Sequence, residues 1–473
     1  MTSLLSEEDL NDFITPSLAC TRPTETKVSE PNVNELGEYE VGKESETLQK
    51  VNITLSDCLA CSGCITSSEE IMLQKHSHSV FLEAMNRDHG PLCVSVAAQC
   101  RISMSQYFGM ELMEFDMWLI NFFKERFQAK YVVGLQNGRN ITIKQTIEKL
   151  VEWKQREQDE NSKPRLSSVC PGFLIYTEKT KPGLVPLLLN VKSPQQITGS
   201  LLKEVDSSMY HLSISPLFDK KLEAERPDSA NEVDCVITPM EFLAMIEDLK
   251  IDISDYCTKD KNLLVDYSPP GWDPSIHWAS NSGSSSGGFA YQYVEYMRRN
   301  HVGNCEMQVL PGKNGNILEY RLVDDERKTI ASASELSGFR NIQNMVRNLT
   351  GGNKRKIQVL RKRTGGGATG IRHSDGGDKV PKQFANPFKS DFIEVNASPG
   401  GCINGSGLIN MESNAIKRKQ YTQHIEQLYF NKLQQIDPIN MMNEIQANKN
   451  YEYEFMPAVP QEPKDIPLVG RTW

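Results

Sequence analysis

The chain has 473 residues, 38% hydrophobic and 24% charged, a composition that supplies ordinary packed cores and argues against wholesale disorder. Lys and Arg number 52 against 61 Asp and Glu, a formal charge of −9, so no global attraction to nucleic acid or to an anionic membrane is expected. The length allows about three domains at about 150 residues each, and no apolar run approaches the ~18 residues that a membrane-spanning helix needs.

The first ten residues are acidic and lack a basic region and a long apolar stretch, so neither a secretory signal nor a mitochondrial presequence is expected. Residues 1–20 read as a short arm ending at Cys20. Residues 21–50 are polar and glutamate-rich and read as a solvated tether. Residues 51–55 alternate apolar and polar like a short strand, and Ser67-Ser-Glu-Glu70 resembles a capped helix start. From about residue 93 the texture becomes α/β. Residues 93–97, 130–134, 173–176, 187–191, 235–237 and 392–395 read as buried strands, and residues 113–127 as a largely buried helix. Residues 154–165 form a hydrophilic connector. Residues 351–387 combine glycine pairs and triplets with Lys354-Arg-Lys356 and Arg361-Lys-Arg363, and read as a disordered basic insertion. Ile425, Leu428, Tyr429 and Leu433 then mark an amphipathic helix that Pro438 is expected to help terminate.

Cysteine carries the chemistry. There are 11, at positions 20, 58, 61, 64, 93, 100, 170, 235, 257, 305 and 402, and an odd number without an export signal argues against a disulfide framework. The expected compartment is therefore reducing, and clustered thiols there read as metal or cluster ligands. Cys58, Cys61 and Cys64 are spaced C-x2-C-x2-C, which lets one tight loop wrap three corners of a [4Fe–4S] cube. Ala60, Ser62 and Gly63 are small enough for backbone N–H groups to approach the sulfides. Zinc is the rival, although structural zinc prefers two spaced pairs to a triplet. Spacing leaves the fourth ligand open among Cys20, Cys93 and Cys100, with His76, His78 and His89 as nitrogen alternatives that a polar loop would more simply solvate. Cys170 and Cys402 each sit in a loop after a strand-like run. Ser284-Ser-Ser-Gly-Gly288 reads as a Gly/Ser-rich loop opening a helix; without a P-loop lysine, tight packing is its expected role. Lys220, Lys221 and Glu223 read equally as a solvated charge run or as groups that orient their loop.

These motifs resemble the Nar family, cytosolic iron–sulfur assembly factors related to iron-only hydrogenases. The resemblance is carried by Asp57-Cys-Leu-Ala-Cys-Ser-Gly-Cys64, Val169-Cys-Pro-Gly-Phe173, Lys192-Ser-Pro-Gln-Gln196, Ser268-Pro-Pro-Gly-Trp-Asp-Pro274, Ala333-Ser-Glu-Leu-Ser-Gly-Phe339 and the terminal Thr472-Trp473. It implies an α/β fold: a hydrogenase-like core of two α/β lobes, with an N-terminal ferredoxin-like cluster segment and a helical C-terminal segment. The corresponding divisions are 1–92 (tether 21–50), 93–350, the insertion 351–387, a final core loop 388–410, and 411–473.

The resemblance implies two [4Fe–4S] clusters. The first would take Cys20, Cys58, Cys61 and Cys64. The second would take four cysteines from three core loops, of which Cys170 and Cys402 are present, while Leu217 and Ser398 occupy the other two positions. Leu217 has no donor, and a serine hydroxyl gives up its proton far less readily than a thiol. Cys235, eighteen positions after Leu217, is the candidate substitute, with a buried structural thiol as its alternative reading. Hydrogenase chemistry is not expected: the relay cysteine before Cys170 is Val169, and Asn396 stands in place of a methionine. The expected function is a non-catalytic component of cytosolic iron–sulfur assembly, passing clusters to cytosolic and nuclear apoproteins. The expected partners are assembly and targeting proteins, docking through the C-terminal Trp473, with no nucleic acid and no membrane. The rivals are a redox or electron-transfer subunit of hydrogenase type and a zinc-bearing scaffold.

Overall fold

A computed structural model describes residues 73–87, 89–156, 163–229, 231–351, 384–410, 412, 414–445 and 449–457, and the backbone of two short strands nearer the N-terminus. Cys20, Cys58, Cys61, Cys64 and Trp473 lie outside the described residues, as do the strand expected at 51–55 and the helix start expected at 67. Within the expected tether, Glu25–Val28 and Thr47–Lys50 pair as an antiparallel ribbon.

Two sheets organise the core. Their strands, in chain order, are β1 (Leu92–Val96), β2 (Tyr131–Gly134), β3 (Arg165–Leu166), β4 (Tyr210–Ile214), β5 (Cys235–Ile237), β6 (Cys305–Pro311), β7 (Ile317–Asp324), β8 (Thr329–Ser337) and β9 (Phe392–Asn396). The first sheet is all parallel, in the order β2-β1-β4-β5. The second runs β3-β9-β8-β7-β6, parallel from β3 to β8 and antiparallel through the β8-β7-β6 meander. Each lobe is thus a sheet packed with helices, the α/β arrangement expected.

The helices used below are α1 (His78–Met85), α2 (Ala98–Phe108), α3 (Leu112–Phe127), α4 (Gln136–Arg156), α5 (Pro171–Thr180), α6 (Pro194–Val205), α7 (Asp219–Ala224), α8 (Pro239–Asp248), α9 (Phe289–Asn300), α10 (Phe339–Leu349) and α11 (Ala415–Lys432). Among the described residues no helix is long and apolar enough to cross a membrane.

All five residues of β1 are buried, as a parallel strand covered on both faces requires. Helix α3 begins with a reciprocal capping box between Glu111 and Glu114 and ends at Gln128 in the left-handed region. Its Trp118 and Phe122 stack with centroids 5.4 Å apart, inside an apolar cluster that takes in Phe115, Phe123 and Phe242. Arg101 on α2 forms a two-pronged buried pair with Asp116 on α3 (2.8 and 2.5 Å), which locks the two helices together. Helix α11 packs on α2 through Ile425, Tyr429 and Leu433, the expected apolar stripe.

Two expected strands are corrected. Residues 173–176 lie inside helix α5: Pro171 occupies its first turn, where a missing N–H costs nothing, and a short apolar run fits helix or strand alike. Residue 187 ends a 3-10 turn, Pro182–Leu187, and the segment after it contributes one bridge, Leu188 to Leu166, rather than a strand; the Leu189 N–H reaches the Leu166 carbonyl (2.8 Å), but the Val191 N–H turns back to the Leu189 carbonyl (2.9 Å). Helix α11 ends at Lys432, ahead of Pro438, which instead opens the next turn, Pro438–Met441.

Candidate functional site

Four loops meet where the two lobes face each other, each at the carboxyl end of a parallel strand or at the start of a helix. They are the β3–α5 loop at 167–170, the β4–α7 loop at 215–218, the loop after β9 from 397, and the Gly/Ser loop before α9. Ligand sites in α/β folds sit at this end of the strands because the loops there diverge. The loops are tied to one another. The Val395 N–H donates to Ser167 Oγ (2.9 Å), Gly407 N–H to the Pro216 carbonyl (3.1 Å), and Cys402 N–H to Ser286 Oγ (2.9 Å). Glycine is required where the final loop touches its neighbours. At Gly401, φ is +80° and a Cβ would stand 2.2 Å from Ser286 Oγ; at Gly405 it would stand 2.3 Å from the Pro216 carbonyl oxygen.

The loops enclose a cavity of about 50 Å³ lined by Cys170, Leu217, Cys402, Lys220, Ser286 and Glu394, among others. The structure therefore brings Cys170 and Cys402 to one place, as expected, together with Leu217 and the Gly/Ser loop. Cys170 caps the N-terminus of α5, and its sulfur accepts the Ala397 N–H (3.2 Å). Burial pushes its thiol up to about 12 and the Asp219 carboxylate adds to this, while that N–H works against them. Burial likewise pushes Cys402 up to about 11 against the opposing pull of the Lys220 ammonium. Ser398, in the same loop, is not among the residues lining the cavity. Among the described residues no three His, Cys, Asp or Glu side chains converge to hold a metal ion.

Most charges around the cavity are internally committed; Arg139, also in its wall, donates through Nη1 to the Tyr429 hydroxyl (2.7 Å), while its Nε is buried without a partner. Lys220 lies 2.9 Å from Glu223 Oε2 and donates to the Val169 carbonyl (3.4 Å). Asp219 Oδ2 accepts the Gly172 N–H (3.0 Å), while its Oδ1 is buried without a partner, and burial raises its pKa. Lys221 donates to the His76 carbonyl (2.7 Å) and pairs with Glu241 (2.5 Å). The reading of this run as solvated is thereby corrected: Lys221 and Glu223 are almost wholly buried, and the loop is oriented by its charges.

The alternative ligands do not line the cavity. Cys93 on β1 and Cys100 on α2 are core thiols; burial pushes Cys93 up to about 12, and burial, with Cys402 close by, pushes Cys100 up as well. Cys235 lies in β5 with its sulfur toward the Ser77 carbonyl (3.7 Å), away from the cavity that Leu217 lines. His76 is not solvated: it is buried, its Nδ1 accepts the Val236 N–H (3.2 Å), and burial lowers its pKa to about 4. His78 faces Asp248 at 2.9 Å and His89 the Gly90 carbonyl at 2.6 Å.

Composition and spacing missed a pair of facing carboxylates at the cavity, Glu394 buried in its wall and Glu335 half-buried beside it. Glu335 on β8 stands directly opposite Glu394 on β9 in the parallel register. Glu394 Oε2 accepts the Ala290 N–H at the start of α9 (2.9 Å), and its Oε1 is buried without a partner. Glu335 accepts the Tyr320 hydroxyl (2.9 Å). Burial, then its Glu394 neighbour, pushes Glu335 up to about 8; burial pushes Glu394 up to about 7 against the N–H groups facing it. The signal that would have found Glu394 is an acid inside the apolar run Phe392-Ile-Glu-Val395.

This architecture, loops from two α/β lobes around a sulfur-lined cavity, is that of the hydrogenase large-subunit core. The family model "Iron only hydrogenase large subunit, C-terminal domain" matches residues 91–406. Solved [FeFe]-hydrogenases share the fold. A variant of apo HydA1 from Chlamydomonas reinhardtii superposes with a TM-score of 0.52 at 17% identity, over 81% of this chain and 100% of that one. HydA(deltaEFG) gives 0.53 at 16% identity, with the same coverage of both chains.

The chain belongs to the iron-only-hydrogenase-like family, in its branch of cytosolic Fe–S cluster assembly factors. It is 51% identical over 496 residues to the protein named cytosolic Fe-S cluster assembly factor NAR1 of Saccharomyces cerevisiae (strain YJM789), over 100% of both chains. It is 46% identical over 479 residues to the protein of that name from Kluyveromyces lactis, again over 100% of both.

Proposed function

We propose that this chain is a non-catalytic component of cytosolic iron–sulfur protein assembly, which holds a [4Fe–4S] cluster and passes it to cytosolic and nuclear apoproteins. The observation that carries the reading is full-length likeness to assembly factors combined with a hydrogenase-like cavity stripped of hydrogenase chemistry. Val169 cannot relay a proton, and Leu217 cannot ligate iron. The residues assigned to the cluster are Cys20, Cys58, Cys61 and Cys64, whose C-x2-C-x2-C triplet suits a cube and whose fourth thiol comes from the family resemblance. A bound cluster would supply exchangeable iron and sulfide; the chain's part is to present thiolates and small residues around it. Trp473, a large aromatic, is assigned to docking on assembly and targeting partners.

Anaerobic reconstitution of the full chain with iron and sulfide tests this reading. The expected product is coloured, holds iron that a Cys61→Ala variant lacks, and loads an apo-acceptor of the [4Fe–4S] class. Deleting Trp473 should weaken partner capture with no change of colour. A colourless protein holding zinc, or hydrogen evolution by the reconstituted chain, would overturn it.

A further inference from the structure

The core of this fold carries a ligand set in its hydrogenase relatives' family, and the donor chemistry of this chain does not fit such a group. Two of the implied positions have lost their thiols, and in different ways. Leu217 is buried at 5% exposure and lines the cavity with its apolar side chain. It stands where a donor would have to approach, so the position is filled rather than merely empty. Ser398 offers only a hydroxyl and does not line the cavity. The other core thiols do not complete the set: Cys235 is held in β5 and Cys93 in β1, and Cys100, wholly buried on α2, is near enough to Cys402 to feel its charge but does not line the cavity, so that no three ligating side chains converge among the described residues.

The cavity is small, about 50 Å³, room for a few waters at about 10–15 Å³ each. Of the two cations at its wall, Lys220 is already matched by Glu223, and Arg139 donates to the Tyr429 hydroxyl (2.7 Å).

We infer that the core cavity of this chain does not assemble a cluster: Leu217 has turned a ligand position into packing between the lobes, and all the chain's cluster iron belongs to the amino-terminal cysteines. This deepens the proposed function and rests on it only for the place of the remaining iron.

The test separates the two sites by counting iron and acid-labile sulfide, with EPR of the reduced protein, after anaerobic reconstitution of the full chain. About four irons per chain are expected for the unaltered protein, one cube, and the same number for Cys170→Ser and Cys402→Ser. Cys61→Ala should fall to near zero. Leu217→Cys combined with Ser398→Cys, placed in the Cys61→Ala chain, should regain about four irons and a second EPR signal.

About eight irons in the unaltered chain, with half lost in Cys170→Ser, would overturn the inference. So would failure of a folded Leu217→Cys/Ser398→Cys chain to gain iron, because the loss would then not lie at those two positions. If that double variant does not fold, the comparison of the unaltered chain with Cys170→Ser still decides. Iron that survives both Cys61→Ala and the loss of Cys170 and Cys402 would instead sink the amino-terminal assignment and leave the core cavity, as inferred, without a cluster.

Discussion

Leu217 shows how one side chain changes a site from chemistry to packing. It lies in the β4–α7 loop, buried, with its neighbours Pro216 and Ser215 bonded to the final loop and to β5. A thiol there would present a ligand to the cavity, whereas a leucine offers none and stabilises only by leaving water. Truncation should therefore cost what a core truncation costs. Leu217→Ala is expected to destabilise the chain by about 2–5 kcal/mol, read from the urea midpoint at unchanged slope. A cost under about 0.5 kcal/mol, typical of surface positions, would show that the leucine is not packing the lobes together.

Between the elements β8 and β9 the unusual feature is Glu335 beside Glu394. Two like charges directly opposite on adjacent strands repel, and burial deepens the penalty. Both folded-state pKa values are raised, to about 8 and about 7, above the ordinary glutamate value of 4.5. Their protonated forms therefore favour the fold. The contribution is fully present below about pH 4.5 and is lost as pH rises toward 7 and 8, where the folded protein must ionise buried acids. Other groups face the pair: Tyr320 donates to Glu335, Glu426 on α11 repels it, and Arg139 on α4 favours ionised Glu394. Glu335→Gln should thus raise the melting temperature at pH 8.5 relative to the unaltered chain and leave the difference small at pH 5. Equal shifts at both pH values would mean that the carboxylate is not carrying a proton.

Over the whole molecule, the C-terminal segment 449–457 binds both lobes. Tyr453 donates its hydroxyl to Glu223 (2.8 Å) and accepts the Ser193 N–H (3.2 Å), while Arg226 pairs with Glu178 (2.7 Å) and donates to the Glu454 carbonyl (3.1 Å). Tyr453→Phe leaves a buried carboxylate oxygen and an N–H without that partner. It should cost about 1–3 kcal/mol in chemical unfolding, and a neutral result would mean that water replaces the hydroxyl.

How much of this was legible follows from what each element depends on. Strands β1, β2, β5 and β9 were readable because burial on both faces writes a continuous apolar run. The meander β6–β8 was not recognised, since its exposed positions mix charge with apolar residues; Asn314-Gly315 between two strands was the available turn signal. Helix α5 was misread because its apolar run is short, and Pro171 was the overlooked cue. The thiols of the core site were legible by motif. Their meeting with Leu217, and the burial of Lys221 and Glu223, are products of loop convergence that no local pattern encodes.

The double duty of Glu223 has one more consequence. The same carboxylate grips Lys220 at the cavity wall and Tyr453 in the terminal segment. Detaching that segment strips Glu223 of a donor and leaves it to Lys220 and the Gln195 amide, Lys220 also holding the Val169 carbonyl. The tail is thus a latch: whatever lifts it loosens the loop beside Cys170, and whatever remodels that loop is felt in the tail.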